Sequence, residues 1–228
     1  MNIYKITLPL LLIACSLLLY RRLHAPQQKQ YSTAQAIQIL DQVYADVSGF
    51  SIDQTERMDI EKQGGNPTYG EITFQSTQDL INHLDLGKDD VFFDLGCGIG
   101  KVCCQVALTT PARAIGIELS PTRCALAQKT KQCLINQKAC ANNAKLEFYE
   151  QNILDAHLEP ATVIFACSTC FSDQLMQTLT HKLEQLPKLK RVVTLKELAP
   201  STHFTLAKTI HLPMTWSENT PVHLYERI

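Results

Sequence analysis

No long run of lysines or arginines occurs in the 228 residues, and the formal net charge is −1. Sequence-independent nucleic-acid binding needs a basic stripe to displace counterions, so strong binding of that kind is not expected. The nine cysteines are odd in number and lack the spacing of a disulfide framework, and they read as reduced thiols. Cys167-Ser168-Thr169-Cys170 has no second CxxC beside it, no HxxxH occurs, and the seven histidines are scattered, so no metal site is expected. Internal repeats and low-complexity tracts are also missing. What is present, 45% hydrophobic and 19% charged residues, suits one domain with a sizeable core and an appendage.

The appendage is the apolar run 6–20, ITLPLLLIACSLLLY, flanked by Lys5 and by Arg21-Arg22. As a helix it spans roughly 22 Å, short of the ~20 residues of a comfortable crossing, so a thin span and a cleaved signal sequence both fit. Leu12-Ile13-Ala14-Cys15 resembles a bacterial lipoprotein cleavage box. The apolar run nevertheless continues past that cysteine, and the stronger positive cluster follows the run. These features favour an uncleaved membrane anchor over 1–22, a linker over 23–31, and a domain over 32–228 on the cytosolic side.

Within that domain, Val91-Phe92-Phe93-Asp94-Leu95-Gly96-Cys97-Gly98-Ile99-Gly100-Lys101 reads as a buried strand that breaks into a glycine turn and restarts as a helix. The spacing is GxGxG, with Lys101 where a dinucleotide fingerprint has its third glycine, so it fits NAD poorly. Asp94 at the strand tip would repel a pyrophosphate and welcome an ammonium group. Glu118, ending the next strand Arg113–Glu118, is placed to take both hydroxyls of a ribose. Together they point to S-adenosylmethionine (SAM), which carries an ammonium and no phosphate. The plain alternative is a ligand-free strand-to-helix turn with Glu118 as a solvated strand end.

Around this motif the pattern alternates. Helices are expected over 33–47, with Ser32 or Thr33 as N-cap, over 75–86, over 121–141 behind Ser120 and Pro121, and over 172–186, stopped by Pro187. Residues 59–67 end in Gly64-Gly65-Asn66-Pro67 and read as a loop. Strands are expected over 91–95, 113–118, 146–153, 162–166 and 191–194, with 204–212 and 222–228 forming an antiparallel hairpin at the sheet edge. The fold class is α/β, a doubly wound, Rossmann-like, mostly parallel seven-stranded sheet with an antiparallel C-terminal edge.

With these residues located, the stretch from Tyr69 onward resembles the non-SET histone-lysine methyltransferases, the disruptor-of-telomeric-silencing family within the class I SAM-dependent methyltransferases. Tyr69-Gly70-Glu71 with Phe74 resembles that family's cofactor-covering loop, and 91–100 is similar to its glycine motif. Ile117-Glu118 resembles its ribose-binding step. Val163-Ile164-Phe165, then Lys196 with Ala199-Pro200, and Trp216 with Pro221-Val222 and Tyr225 are similar to its later stretches. The resemblance implies transfer of a methyl group from SAM to a protein lysine, histone being the family's substrate. Implied cofactor residues are Tyr69, Glu71, Phe74, Asp94, Gly96, Cys97, Gly98, Gly100, Lys101, Glu118, Asn152 and Ile153. Asn152 stands where the family has an adenine-binding aspartate, and Cys167-Ser168-Thr169 replaces its asparagine pair and phenylalanine. Ser168 could supply a hydroxyl acceptor there, and Tyr225, with Phe171 and Tyr69, could line an aromatic channel that favours a neutral lysine amine. The family's basic nucleosome-holding tail has no counterpart. Three other readings stay open: a lipid or small membrane-soluble acceptor, a catalytically silent SAM-binding module, and redox work by the CxxC at its strand-to-helix junction.

Overall fold

A computed structural model describes residues 29–140 and 145–228. Its seven-stranded sheet has the order β3-β2-β1-β4-β5-β7-β6. The strands are β1 (Val91–Leu95), β2 (Arg113–Glu118), β3 (Leu146–Glu150), β4 (Val163–Ala166), β5 (Arg191–Thr194), β6 (Phe204–Met214) and β7 (Ser217–Arg227). β1 to β5 pair in parallel, while β7 runs antiparallel to both β5 and β6. β1 and β4 are apolar on both faces because helices cover both sides. Period-two alternation divides them: Phe92 and Phe165 enter one hydrophobic layer, Phe93 and Ile164 the other.

The first layer is built by α1 (Thr33–Tyr44), α3 (Phe74–Leu84), α4 (Lys101–Thr109) and α5 (Pro121–Asn136), the second chiefly by α6 (Asp173–Glu184). Local chemistry starts these helices where expected. Ser32 and Gln35 form a reciprocal capping box on α1, and Ser120 caps α5 with Pro121 in its first turn. On α6, Leu179 and Leu183 of the leucine stripe are fully buried.

Several boundaries differ from the sequence reading, the expected strand 146–153 ending at Glu150 and the expected helix 33–47 at Tyr44 among them. The 121–141 helix stops at Asn136, because Lys138 adopts a left-handed φ of 56° and the Ala139 and Cys140 amides both return to the Leu134 carbonyl. Part of the expected 59–67 loop is instead the end of a helix, α2 (Gln54–Lys62), capped by Asp53. It buries only Ile60, so it has no apolar stripe to betray it; it is held by Glu56, which accepts hydrogen bonds from Ser120 and Thr122. The hairpin is longer than expected at both ends of its turn, and its tip docks on the 71–72 loop through Thr215 N to Glu71 O (2.9 Å) and an Ile72–Met214 bridge. The apolar run 6–20 lies outside the described residues, and among those described no helix is long and apolar enough to cross a membrane.

Leu179→Ala is expected to lower unfolding free energy by about 2–5 kcal/mol in urea titration. Leu206→Ala, on the exposed edge strand β6, should stay within about 0.5 kcal/mol of the parent.

Candidate active site

The C-terminal ends of β1, β2 and β4 open onto a cavity of about 590 Å³. Its floor is the glycine turn. Gly96, Gly98 and Gly100 all have positive φ, and the Gly96 and Cys97 amides both bond the Ile117 carbonyl, fastening the turn to β2. At Gly98 there is no room for a side chain: a Cβ there would lie 2.5 Å from the Tyr69 ring, which lies over it.

Two carboxylates flank the turn. Glu118 accepts from the Gly98 amide (2.7 Å) through Oε2 and from the Ser120 amide (2.9 Å) through Oε1. Burial nonetheless raises its carboxyl above the ordinary value, with these amides and the Arg123 charge pulling the other way. Asp94 is the opposite case. Its Oδ1 is buried and has no hydrogen-bond partner among the described residues. Burial first, and the Glu118 charge second, push its carboxyl up to about 8. A buried carboxylate oxygen without a donor, set in a cavity, calls for a cation or a strong donor there.

The covering loop closes one side. Tyr69 donates to Glu71 Oε1 (2.8 Å), Lys101 pairs with Glu71 Oε2 (2.6 Å), and the Lys101 ammonium also lies 5.3 Å from the Tyr44 ring and 5.5 Å from that of Phe74. Arg123 anchors this arrangement from beneath. It donates to the Gly49 carbonyl (3.0 Å) and the Pro67 carbonyl (2.8 Å), and its guanidinium stacks 4.7 Å from the Tyr69 ring. Trp216, from the β6–β7 tip, lies so close to Gly70 that a Cβ there would meet its ring at 2.5 Å.

Tyr69, Glu71, Asp94, Gly96, Cys97, Gly98, Lys101, Glu118, Asn152 and Ile153 therefore come together around one cavity. Four expected site residues do not. Gly100 supports the turn from below, where Phe148 packs against it, and Phe74 starts α3 with its ring 6.2 Å from that of Tyr44. Ser168 is fully buried, its hydroxyl accepting from the Lys196 amide (2.9 Å), and the Tyr225 hydroxyl accepts from the Leu198 amide (3.2 Å). Both therefore fix the segment after β5, and neither lines the cavity. The turn Ser168–Cys170 sends the flanking side chains of Cys167, Thr169, Cys170 and Phe171 to the cavity instead. Asn152 lines the cavity, but its amide oxygen already accepts from the Leu154 amide (2.9 Å).

Sequence reasoning missed Arg123, and with it Leu119 and the cavity-lining end of α2. An arginine in the first turn, on the same stripe as Cys124, Ala127 and Leu134, was the available signal. Redox catalysis by the CxxC meets a physical obstacle: burial, then the Asp94 charge, push the Cys167 thiol up to about 12, where such catalysis needs a stabilised thiolate.

The family model described as "Histone methylation protein DOT1" matches residues 50–227. A Caenorhabditis elegans protein named "Histone-lysine N-methyltransferase, H3 lysine-79 specific" is 30% identical over 176 residues, covering 67% of this chain and 19% of that protein. A protein of the same name from Aspergillus fumigatus is 27% identical over 184 residues, covering 77% of this chain and 36% of its own length. The match thus takes in well under half of either relative. Among solved structures, a Salinibacter ruber RNA methyltransferase with S-adenosyl-L-homocysteine superposes with a TM-score of 0.52 at 22% identity, covering 67% of this chain and 90% of that one. The magnesium protoporphyrin IX methyltransferase of Synechocystis PCC 6803, with SAM, gives 0.53 at 12% identity, covering 86% and 93%. At such identities the structural likeness establishes the fold: Rossmann-like, with a mostly parallel seven-stranded sheet and an antiparallel edge.

Asp94 should leave a signature in ligand-free protein. Its carboxyl titrates near 3.8 when unfolded and near 8 when folded, so its stabilising contribution is full below pH 4 and is lost as pH rises toward 8. The melting temperature of wild type minus that of Asp94→Asn is expected to fall steadily across that window. A flat difference by calorimetry would contradict the buried, unpartnered placement.

Proposed function

Because the chain belongs to the DOT1 histone-methylation family, we propose that it is a SAM-dependent methyltransferase acting on a protein lysine. The observation that carries this reading is the unpartnered, buried Asp94 Oδ1 above a glycine turn too tight for a side chain. The site fits SAM on that ground. Asp94 would receive the ammonium, Glu118 retains lone pairs for ribose hydroxyls on oxygens that the Gly98 and Ser120 amides hold in place, and the turn at Gly96, where a Cβ would have its nearest neighbour 3.7 Å away, admits a close approach. Tyr69 and Glu71 would cover the bound molecule. When bound, SAM supplies a methyl group activated by a sulfonium.

The chain's own part is positioning, exclusion of water and control of protons. Asp94, held largely protonated by burial when alone, would shed its proton as a cation settles against it. Beyond the glycine turn Cys167, Phe171, Leu175 and Trp216 supply apolar wall, with Thr169, Ser172, Gln174 and Thr178 among them. A lysine side chain entering there leaves water for apolar surroundings, which favours the neutral amine able to accept a methyl group. Ser168 and Tyr225 act as positioning residues for that wall through Lys196 and Leu198.

Histone H3 is the acceptor proposed first, from the names of the relatives. The run 6–20 is proposed as an anchor holding the domain at the cytosolic face of a membrane, in keeping with Arg21-Arg22 after it.

Full-length protein incubated with methyl-labelled SAM, with histone H3 or with membrane and cytosol fractions, is expected to place alkali-stable label on protein. Label in the organic extract would replace the lysine acceptor with a lipid, and tight binding without transfer to any fraction would identify a silent module. Asp94→Asn should weaken SAM binding by about ten- to a hundredfold, the value of a hydrogen bond to a charged group, measured by calorimetry.

A further inference from the structure

The cavity wall carries a pair of thiols that methyl transfer does not use. Cys167 ends β4 and Cys170 closes the 3₁₀ turn Ser168–Cys170, so the two stand three residues apart across one turn. In 3₁₀ geometry residues i and i+3 eclipse, which brings their Cα atoms within the roughly 4.4–6.8 Å that a disulfide spans. Both line the cavity, and each sulfur is near enough for Cys170 to raise the Cys167 thiol. Their accessibility differs. Cys170 is the exposed one of the eight cysteines among the described residues, Cys133 and Cys167 are partly exposed, and the other five are buried.

We propose that Cys167 and Cys170 are a modification site, which a peroxide converts to a disulfide that obstructs the acceptor end of the cavity. Cys170, its thiol proton released, attacks one peroxide oxygen: an S–O bond forms, the O–O bond breaks, and the hydroxide that leaves takes up the Cys170 proton as the first water. The Cys167 sulfur then attacks the Cys170 sulfur. An S–S bond forms, the S–O bond breaks, and the departing hydroxide and the Cys167 proton make water. Two sulfurs are oxidised and one peroxide is reduced to two waters.

Placement assigns the roles. Exposed Cys170 meets the oxidant, and Cys167 beneath it resolves the sulfenic acid. The burial that holds the Cys167 thiol near 12 makes it a poor redox catalyst yet disfavours the reduced pair as a stabilised thiolate, so the disulfide persists until a dithiol reductant arrives. Closing the bond draws the Cys170 sulfur inward beside Phe171, whose ring approaches Gly96 and whose carbonyl is held by Lys196 Nζ (2.9 Å). Asp94 and Glu118 keep their places. Acceptor access is therefore affected before cofactor binding.

The site's chemistry rests on the placement and burial of the two thiols; only its effect on transfer rests on the function proposed above. Full-length protein is treated with hydrogen peroxide, the remaining thiols are alkylated, and peptides are mapped by mass. The expected peptide carrying 167–170 has lost two hydrogens and escaped alkylation, is restored by dithiothreitol, and gives no such product in Cys170→Ser, while Cys133 stays alkylatable. Oxidised wild type is expected to retain SAM binding and to lose methyl transfer to histone H3 several-fold, reversibly. Sulfinic acid on Cys170 with Cys167 still alkylatable would overturn the disulfide, and a disulfide with unchanged transfer would overturn the obstruction. If the reduced protein transfers to no acceptor, the proposed function fails, and the mass result still decides the thiol chemistry.

Discussion

Two carboxylates buried beside one glycine turn set the constraint under which the rest of this molecule is built. Glu118 is satisfied by two backbone amides; Asp94 has an oxygen with no donor among the described residues. Placing both in one apolar pocket is costly, and each is driven toward its neutral form. The Glu118 cost is offset in part by the charge of buried Arg123, whereas among the described residues nothing pairs the Asp94 oxygen, which a ligand bearing positive charge would satisfy. The backbone turn, the covering tyrosine and the arginine beneath it are all arranged around that unmet demand.

Much of this could be read in the sequence because it is written in short-range chemistry. Three glycines with positive φ, serine caps before α1 and α5, and continuous apolar strands are each decided within a few residues. The strand set and the cavity's carboxylates follow from these. Harder to see were features whose cause lies far along the chain. Helix α2 has a single buried residue, and its stability comes from Glu56 binding residues more than sixty positions away. Ser168 and Tyr225 had the right chemistry for an acceptor site, but a turn of 3₁₀ helix and the β5–β7 pairing direct their hydroxyls at backbone amides instead.

Arg123 shows why a site cannot be reduced to the residues that touch a ligand. One side chain holds the Gly49 and Pro67 carbonyls and the face of Tyr69, joining the region before α2, the end of the following loop and the covering ring. Its planar fork satisfies two carbonyls and stacks at once, which a lysine could not do. The lid over the glycine turn is therefore a property of α5 as much as of its own sequence.

The docking of the β6–β7 tip on Glu71 and Ile72 also sets an order of assembly during synthesis. The cavity floor is complete once β4 has emerged, yet its cover is pinned by Thr215 and Trp216, which follow all five parallel strands. A ribosome-bound chain would thus carry the glycine turn with its covering loop still unpinned until the hairpin closes.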